Sequence, residues 1–329
     1  MELIVNKKEV VLTPSEWDWE SHSVLNPTII EHNGKIHIFY RAVKEHNYSS
    51  IGHGTIKNGK IIPDDKPILV PTLEEESHGV EDPRITKIDD MFYLLYTAWD
   101  GNNARVGLAI SRDLINFEKQ GIVSPNLTVE EAINITPSKF YKYKWNEQRF
   151  ERGKKSILWD KDAILLPEKI DNKFVMIHRF NPSIQIVKFE NFLELKSQEF
   201  WKDYIKNIED HTLLHPELWW ESSKIGGGAV PLKIDEGYLF IYHGRDLEKC
   251  YRCGALLLDE KLNIIKRTKE PFLVPEEDWE INGVVDRVVF AEGLLLNEDQ
   301  LEIYYGAADK VIGKATLSLK KLLEIMEEV

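Results

Sequence analysis

One phrase, written five times, limits what this chain can fold into more than any other feature. Each copy has a polar start, an apolar run, a short turn and an alternating strand ending near an aromatic residue or a histidine. The first runs Asn26-Pro27-Thr28-Ile29-Ile30, turns at Asn33-Gly34 and continues from Lys35 to Arg41. The second runs from Asp82-Pro83-Arg84-Ile85 through Asp89-Asp90 to Thr97; the others span Asp162 to Arg179, Gly228 to Gly244, and Val288 to Gly306. A weaker strand-like phrase follows each: Ile51–Ile56, Val106–Ile110, Ile184–Val187, Cys253–Leu257 and Ile312–Leu317. Self-similarity at a spacing of about 50 residues or more marks propellers, solenoids and arrays. A lone hairpin buries too little to stand by itself, so the copies must pack on one another. With a fourth strand such as Lys60-Ile61-Ile62 or Asn116-Phe117-Glu118, each copy becomes a four-stranded sheet. The expectation is an all-β chain, a five-bladed β-propeller. A two-sheet sandwich is the alternative, but it does not need a fivefold repeat. The stretch Leu12-Thr13-Pro14-Ser15-Glu16-Trp17 resembles Leu273-Val274-Pro275-Glu276-Glu277-Asp278-Trp279, so the N-terminal piece is expected to help close the ring.

At 329 residues and 43% hydrophobic content the chain can bury a large core, and one domain over residues 1–329 is expected. The N-terminus, Met1-Glu2-Leu3-Ile4-Val5-Asn6-Lys7-Lys8, has no apolar run of the signal-peptide kind, and no stretch is apolar enough to span a bilayer. Two cysteines, Cys250 and Cys253, do not make a disulfide framework, and their single pair without nearby histidines is a poor metal site. A cytoplasmic protein without a metal is the simplest reading. A net charge of −13 disfavours nucleic acid or an anionic membrane as partner. One segment runs against that charge: Lys139, Lys142, Lys144, Arg149, Arg152, Lys154 and Lys155 fall in an insertion of about residues 124–159. It reads as a lid or partner contact, or as a solvated basic loop, and the repeats are expected to form without it. Leu319 to Met326 reads as a short amphipathic C-terminal helix, docked on the rim or used in a homo-oligomer.

In a propeller the inner strands surround one axis, so the hairpin starts Asn26, Asp82, Asp162, Gly226-Gly227-Gly228 and Asp286-Arg287 should converge. The far ends add Arg41, Arg179, His243 and Tyr305. Carboxylates and cations together suit a sugar, whose hydroxyls need acceptors and donors, beside an anion. Asp82 and Arg84 share a face by the two-residue period, so they either form a structural ion pair or Arg84 points elsewhere and frees Asp82 to act as an acid. Trp219-Trp220, Trp99 and Trp159 either stack on a sugar or pack between sheets.

Several blocks carry a family resemblance. Gly79-Val80-Glu81-Asp82-Pro83-Arg84, Lys161-Asp162-Ala163, Ile177-His178-Arg179, Lys224-Ile225-Gly226-Gly227-Gly228, Ile241-Tyr242-His243-Gly244 and Tyr304-Tyr305-Gly306-Ala307-Ala308-Asp309 resemble, in order, the signature blocks of glycoside hydrolase family 130. That family comprises inverting β-mannoside phosphorylases and related β-mannosidases. The resemblance implies a five-bladed propeller, with Asp82 as general acid acting through the mannose 3-hydroxyl. It implies a phosphate site of Lys161, Arg179, Lys224 and His243, and sugar contacts from Asn26, Arg41 and Asp309. Tyr305, ending the fifth hairpin, joins the substrate-binding set. Hydrolytic members lack most of those cations and supply a carboxylate base. The implied activity is therefore phosphorolysis of a non-reducing-end β-mannoside to α-mannose 1-phosphate and a shortened acceptor. Inorganic phosphate is the co-substrate and no cofactor is needed. The alternatives are an inverting β-mannosidase with Glu292 or Asp286 as base, and a non-catalytic carbohydrate-binding propeller. A phosphorylase needs only the acid, because phosphate is itself the nucleophile; the protein must hold a dianion, which arginine, lysine and histidine do.

Overall fold

Alternation of apolar and polar residues turns each repeat into an antiparallel meander. A computed structural model describes residues 5–329 and is dominated by β-strands. The first meander is Ser23–His32, Lys35–Lys44, Tyr48–Lys57 and Lys60–Pro63. The second is Gly79–Ile88, Met91–Trp99, Ala104–Ser111 and Glu118–Ile122. These two share an edge through one parallel bridge, Ser49 to Gly79. Gly79 is required there, because a Cβ would meet the Ser49 backbone nitrogen at 2.8 Å. The third meander is Asp160–Leu165, Phe174–Phe180, Ile184–Phe189 and Thr212–Leu214. In the fourth, Lys224–Gly227 and Leu232–Ile234 both pair Gly237–Arg245, followed by Tyr251–Leu258, Ile264–Arg267 and the terminal pair Glu327–Glu328. The fifth is Val289–Asn297, Gln300–Ala307 and Val311–Ser318, completed by the N-terminal strand Val5–Leu12.

The N-terminal strand thus supplies the outer strand of the last sheet, pairing antiparallel from Val5–Leu317 to Leu12–Ile312. The N-terminal piece therefore stands at the edge of the last sheet. The fourth strand of the second sheet begins two residues later than the sequence suggests. Asp113 Oδ1 accepts from the backbone nitrogens of Ile115 (2.9 Å) and Asn116 (2.8 Å), which holds that stretch in a turn.

The insertion differs most from expectation. It forms two helices, Val129–Ile135 and Lys139–Arg152, capped by Thr128 and Ser138. Tyr141, Trp145 and Leu158 are fully buried in one apolar cluster with Phe180, Trp201 and the second and third sheets. Aromatic side chains bury roughly 150–250 Å² each, so at ~25 cal/mol per Å² each of these two rings contributes on the order of 4–6 kcal/mol. That is comparable with the net stability of a whole domain. The segment is therefore part of the core and not a loop the sheets can shed. Its basic residues lie on the outer side, where Arg152, Lys154 and Lys155 are exposed. At the C-terminus the helix spans Leu319–Glu324 and docks through buried Leu322 and Met326.

Candidate active site

Strand alternation decides what faces the middle of the molecule. In four middle strands a tyrosine or histidine that points into its own sheet precedes the inward residue: Tyr40 before Arg41, Tyr96 before Thr97, His178 before Arg179, Tyr242 before His243. The inward residues pair across the ladder with Leu25, Glu81, Lys161 and Gly226 respectively. The first strands then bulge at equivalent places, between Leu25 and Thr28, Glu81 and Arg84, and Lys161 and Ile164. The bulged residues Asn26, Asp82 and Asp162 have left-handed φ values of 50°, 50° and 55°. Asn and Asp tolerate that region best, and a bulge re-aims a side chain. Three polar side chains from distant repeats thereby turn toward one another.

Asn26 Nδ2 donates to Asp82 Oδ1 at 2.7 Å. Arg41 Nη1 and Lys161 Nζ stand 3.6 and 3.7 Å from the two Asp82 oxygens. Glu81 bridges the same two cations, 2.7 Å from Arg41 and 3.4 Å from Lys161. Arg84 turns away from the Asp82 carboxylate. It donates to the carbonyls of Gly228 (2.7 Å), Asp82 (2.9 Å) and Gly227 (3.3 Å), and pairs with buried Glu292 at 2.6 Å. Burial alone would raise the Asp82 pKa, but Lys161, Arg41 and Arg84 outweigh it and hold the carboxyl down at about 2.

On the other side, Arg179 Nε lies 2.9 Å from Asp162 Oδ2 and His243 Nε2 lies 3.6 Å from the same oxygen. Neither contact meets hydrogen-bond geometry. Arg179 Nε and Nη1, and both ring nitrogens of His243, are buried without a hydrogen-bond partner among the described residues. Burial, with Arg179 and Lys224 next to it, pushes the His243 pKa well below its usual value. Burial, followed by Arg179 and Arg245, pushes Lys224 well below the usual lysine value. The cluster gathers Arg179, Lys224 and His243 around Asp162, whose Oδ2 also lacks a hydrogen-bond partner among the described residues, and buried polar atoms left so cost free energy until a ligand bonds them.

Asn26, Arg41, Asp82, Lys161, Arg179, Lys224, His243 and Asp309 all line one cavity of about 240 Å³. Burial, only partly offset by Arg41, pushes Asp309 up to about 6. A second cavity of about 350 Å³ shares Arg41, Trp159, Lys161, Val285 and Asp309 with the first and continues to Trp99, Arg152 and Asn47. Trp159 stands edge-on to Trp99 at 5.5 Å, with the Arg152 guanidinium 4.4 Å over its ring.

Tyr305 is not in this set. Its hydroxyl donates to buried Glu280 at 2.6 Å, on the opposite face of its strand. It occupies the inward-facing position's neighbour, equivalent to Tyr40; the position that faces the middle is Gly306, where a Cβ would strike Asn26 Oδ1. Asp286 and Arg287 do not converge on the cavity either: both are exposed, and Arg287 pairs with Glu248 at 3.3 Å. Glu292 is fully buried against Arg84, and neither cavity is lined by it or by Asp286. Trp220 is buried in packing, whereas Trp219 is exposed and bonded to Glu270. Sequence reasoning missed Glu81 as the bridge between Arg41 and Lys161, although its place before Asp82 in the quoted block was a signal. It also missed Arg152 and Tyr251, whose positions depend on packing between repeats. No cluster of His, Cys, Asp or Glu able to hold a metal occurs among the described residues, and none of their helices is long and apolar enough to cross a membrane.

Comparison with known proteins agrees with this architecture. A family model described as β-1,4-mannooligosaccharide phosphorylase, glycoside hydrolase family 130, matches residues 5–328. The chain is 35% identical over 335 residues to a 1,2-β-oligomannan phosphorylase of Thermoanaerobacter sp. strain X514, covering 97% of each. It is 36% identical over 339 residues to a β-1,2-mannobiose phosphorylase of the same organism, again covering 97% of each. Its fold is similar to that of a Listeria innocua β-1,2-mannobiose phosphorylase solved with β-1,2-mannobiose, at a TM-score of 0.70 and 24% identity over 99% of this chain and 94% of that one. With the family model covering all but the ends and two relatives matching nearly full length, this chain belongs to glycoside hydrolase family 130.

Proposed function

We propose that this enzyme is an inverting β-mannoside phosphorylase that splits a non-reducing-end β-1,2-mannoside with inorganic phosphate. The five meanders are read as the blades of one propeller domain, with the cavity at one end of its axis. The observation that carries the reading is the set of buried Arg179 and His243 nitrogens without hydrogen-bond partners among the described residues, grouped with Lys224 and Lys161 around one cavity. Water does not require such a set, and a dianion does. The β-1,2 linkage follows the names of the two Thermoanaerobacter relatives.

In this reading phosphate sits on Lys161, Arg179, Lys224 and His243, while Asn26, Arg41 and Asp309 hold the mannose. A phosphate oxygen attacks C1 from the face opposite the leaving oxygen. The new C1–O–P bond forms as the glycosidic C1–O bond breaks, and the leaving oxygen takes the Asp82 proton, relayed through the mannose 3-hydroxyl as the family resemblance implies. Without phosphate, Lys161, Arg41 and Arg84 keep Asp82 ionised. A bound dianion offsets that positive field and lets the carboxyl hold a proton. The acid is thus charged with its proton when the nucleophile is present. The adjoining cavity takes the sugar that leaves, with Trp159 and Arg152 as its walls. A hydrolase would need a carboxylate facing a water on the attacking side, and Glu292, 2.6 Å from Arg84, lines neither cavity. A cytoplasmic location suits the consumption of inorganic phosphate and the free cysteines Cys250 and Cys253.

The test is β-1,2-mannobiose with and without phosphate, following α-mannose 1-phosphate by phosphorus NMR and free mannose by chromatography. Phosphate-dependent, stoichiometric mannose 1-phosphate is expected. Equal release of mannose without phosphate would overturn the reading.

A further inference from the structure

Behind the cavity, four of the five sheets carry the same device. The tyrosine next to the inward position donates to a buried glutamate: Tyr40 to Glu20, Tyr96 to Glu76, Tyr242 to Glu221 (each 2.7 Å) and Tyr305 to Glu280 (2.6 Å). Each ring lies against a glycine on the next strand: Gly52, Gly107, Gly254 and Gly313. The third sheet departs from this pattern. His178 stands at the tyrosine position and Gln185 at the glycine position, and the acid is Asp160, one residue before Lys161 on the same strand. His178 Nδ1 is 2.8 Å from Asp160 Oδ1, and Nε2 is 2.9 Å from the Tyr204 hydroxyl. The Ile186 carbonyl lies 3.1 Å from the same hydroxyl.

Asp160 Oδ1 on one side and the Tyr204 hydroxyl on the other thus hold both ring nitrogens of the buried His178.

The third sheet has a particular need for such a unit. Lys161 and Arg179 are direct cross-strand partners, and like charges placed opposite each other destabilise a sheet. The corresponding pairs elsewhere are Leu25–Arg41, Glu81–Thr97, Gly226–His243 and Phe290–Gly306, none of like charge. We propose that Asp160, His178 and Tyr204 form a hydrogen-bonded clamp that positions Lys161 and Arg179, their chain neighbours on the paired strands, for inorganic phosphate; this rests on the phosphorolysis reading above. These are positioning residues, since none lines the cavity.

The experiment measures phosphate KM, mannoside KM and thermal melts for Asp160→Asn, His178→Phe and Tyr204→Phe, with inorganic phosphate binding by calorimetry. An asparagine can donate to Nδ1 and leave Nε2 on Tyr204, so Asp160→Asn should keep phosphate KM within about threefold of wild type. His178→Phe strands the carboxylate and should raise phosphate KM by roughly tenfold or more, with mannoside KM within about twofold. Should His178→Phe not fold, Tyr204→Phe carries the test with a rise of about three- to tenfold in phosphate KM alone. Damage from Asp160→Asn equal to that from His178→Phe would overturn the hydrogen-bonded clamp, as would an unchanged phosphate KM in the folded histidine or tyrosine variant. A parallel rise in both KM values would reduce the trio to ordinary core packing. Wild-type enzyme turning over without phosphate would sink the phosphorolysis reading and this inference with it, and that result is visible before any variant is made.

Discussion

Arg84 Nη2 lies 2.6 Å from Glu292 Oε1, and both side chains are buried. This pairing settles what the sequence left open about Asp82 and Arg84. The two residues share a strand, but the Arg84 guanidinium is taken up by Glu292 and by three backbone carbonyls. The Asp82 carboxylate is left to Asn26 and to two cations at longer range. Arg84 still lowers the Asp82 pKa through its charge, without closing off the oxygens.

Asp82→Asn should therefore lose about 10²–10⁴-fold in kcat, the usual contribution of a general acid. The amide can keep an Asn26 contact, so circular dichroism and the melt should match wild type. Retention of most turnover in the folded variant would place the acid elsewhere.

Arg179→Ala should act on phosphate. A charge-assisted hydrogen bond contributes about 1.5–3 kcal/mol, which is roughly 10- to 150-fold in phosphate KM. The mannoside KM should change much less. Side-by-side kinetics in both substrates, with a melt as control, distinguish this from loss of the Arg179–Asp162 ion pair as a structural strut.

Trp159→Ala and Arg152→Ala should weaken the acceptor in the reverse reaction from α-mannose 1-phosphate. Losing the apolar wall of Trp159 is worth about 1–2 kcal/mol, or roughly 5–30-fold in acceptor KM. The KM for α-mannose 1-phosphate should hold. Unchanged acceptor kinetics and chain-length preference would remove the second cavity from the substrate path.

Asp309 gives a prediction with a definite sign. Its pKa is raised from the usual 3.8 to about 6, chiefly by burial. As pH rises through that interval the unfolded chain ionises while the folded chain still holds its proton, so stability is lost between the two values and stays lost above them. Asp309→Asn should be stabilised by about 1–3 kcal/mol near pH 8 and hardly at all near pH 4, while its turnover falls. Melts at the two pH values, unchanged relative to wild type at both, would show that the carboxylate carries no such penalty.

Tyr305→Phe removes only the hydroxyl bound to Glu280. A cost of about 1–3 kcal/mol is expected from the Glu280 Oε1 left without its partner, while Oε2 keeps Lys8 and the Glu276 and Glu277 backbone nitrogens, with kinetic constants within about twofold of wild type. A large mannoside KM effect in a stable Tyr305→Phe protein would return this tyrosine to the site.

Much of the molecule was written locally. Period-two alternation, Asn-Gly and Asp-Asp turns and the fivefold phrase dictate five hairpins, and the polar residues at hairpin starts and ends point to one region. Asn26, Asp82 and Asp162 were legible because a left-handed bulge selects Asn and Asp, and that choice is visible in the chain. Tyr305 was misplaced by a single step, because alternation puts adjacent residues on opposite faces and the glycine that does face the middle leaves no chemical trace. The insertion was misjudged because its charges are conspicuous in sequence, whereas the burial of Tyr141 and Trp145 depends on sheets that lie elsewhere in the chain.

The sequence by itself determined the strands, their repetition and the residue types available for acid and anion chemistry, since backbone geometry and side-chain chemistry are local properties. Only the tertiary structure decided which charges are satisfied. Arg84 meets Glu292 across more than two hundred residues of chain and Arg179 meets Asp162, while Glu292, Arg179 and His243 all keep buried polar atoms without hydrogen-bond partners among the described residues. Pairing and desolvation depend on what packs against a group in space, and that is set when the sheets come together.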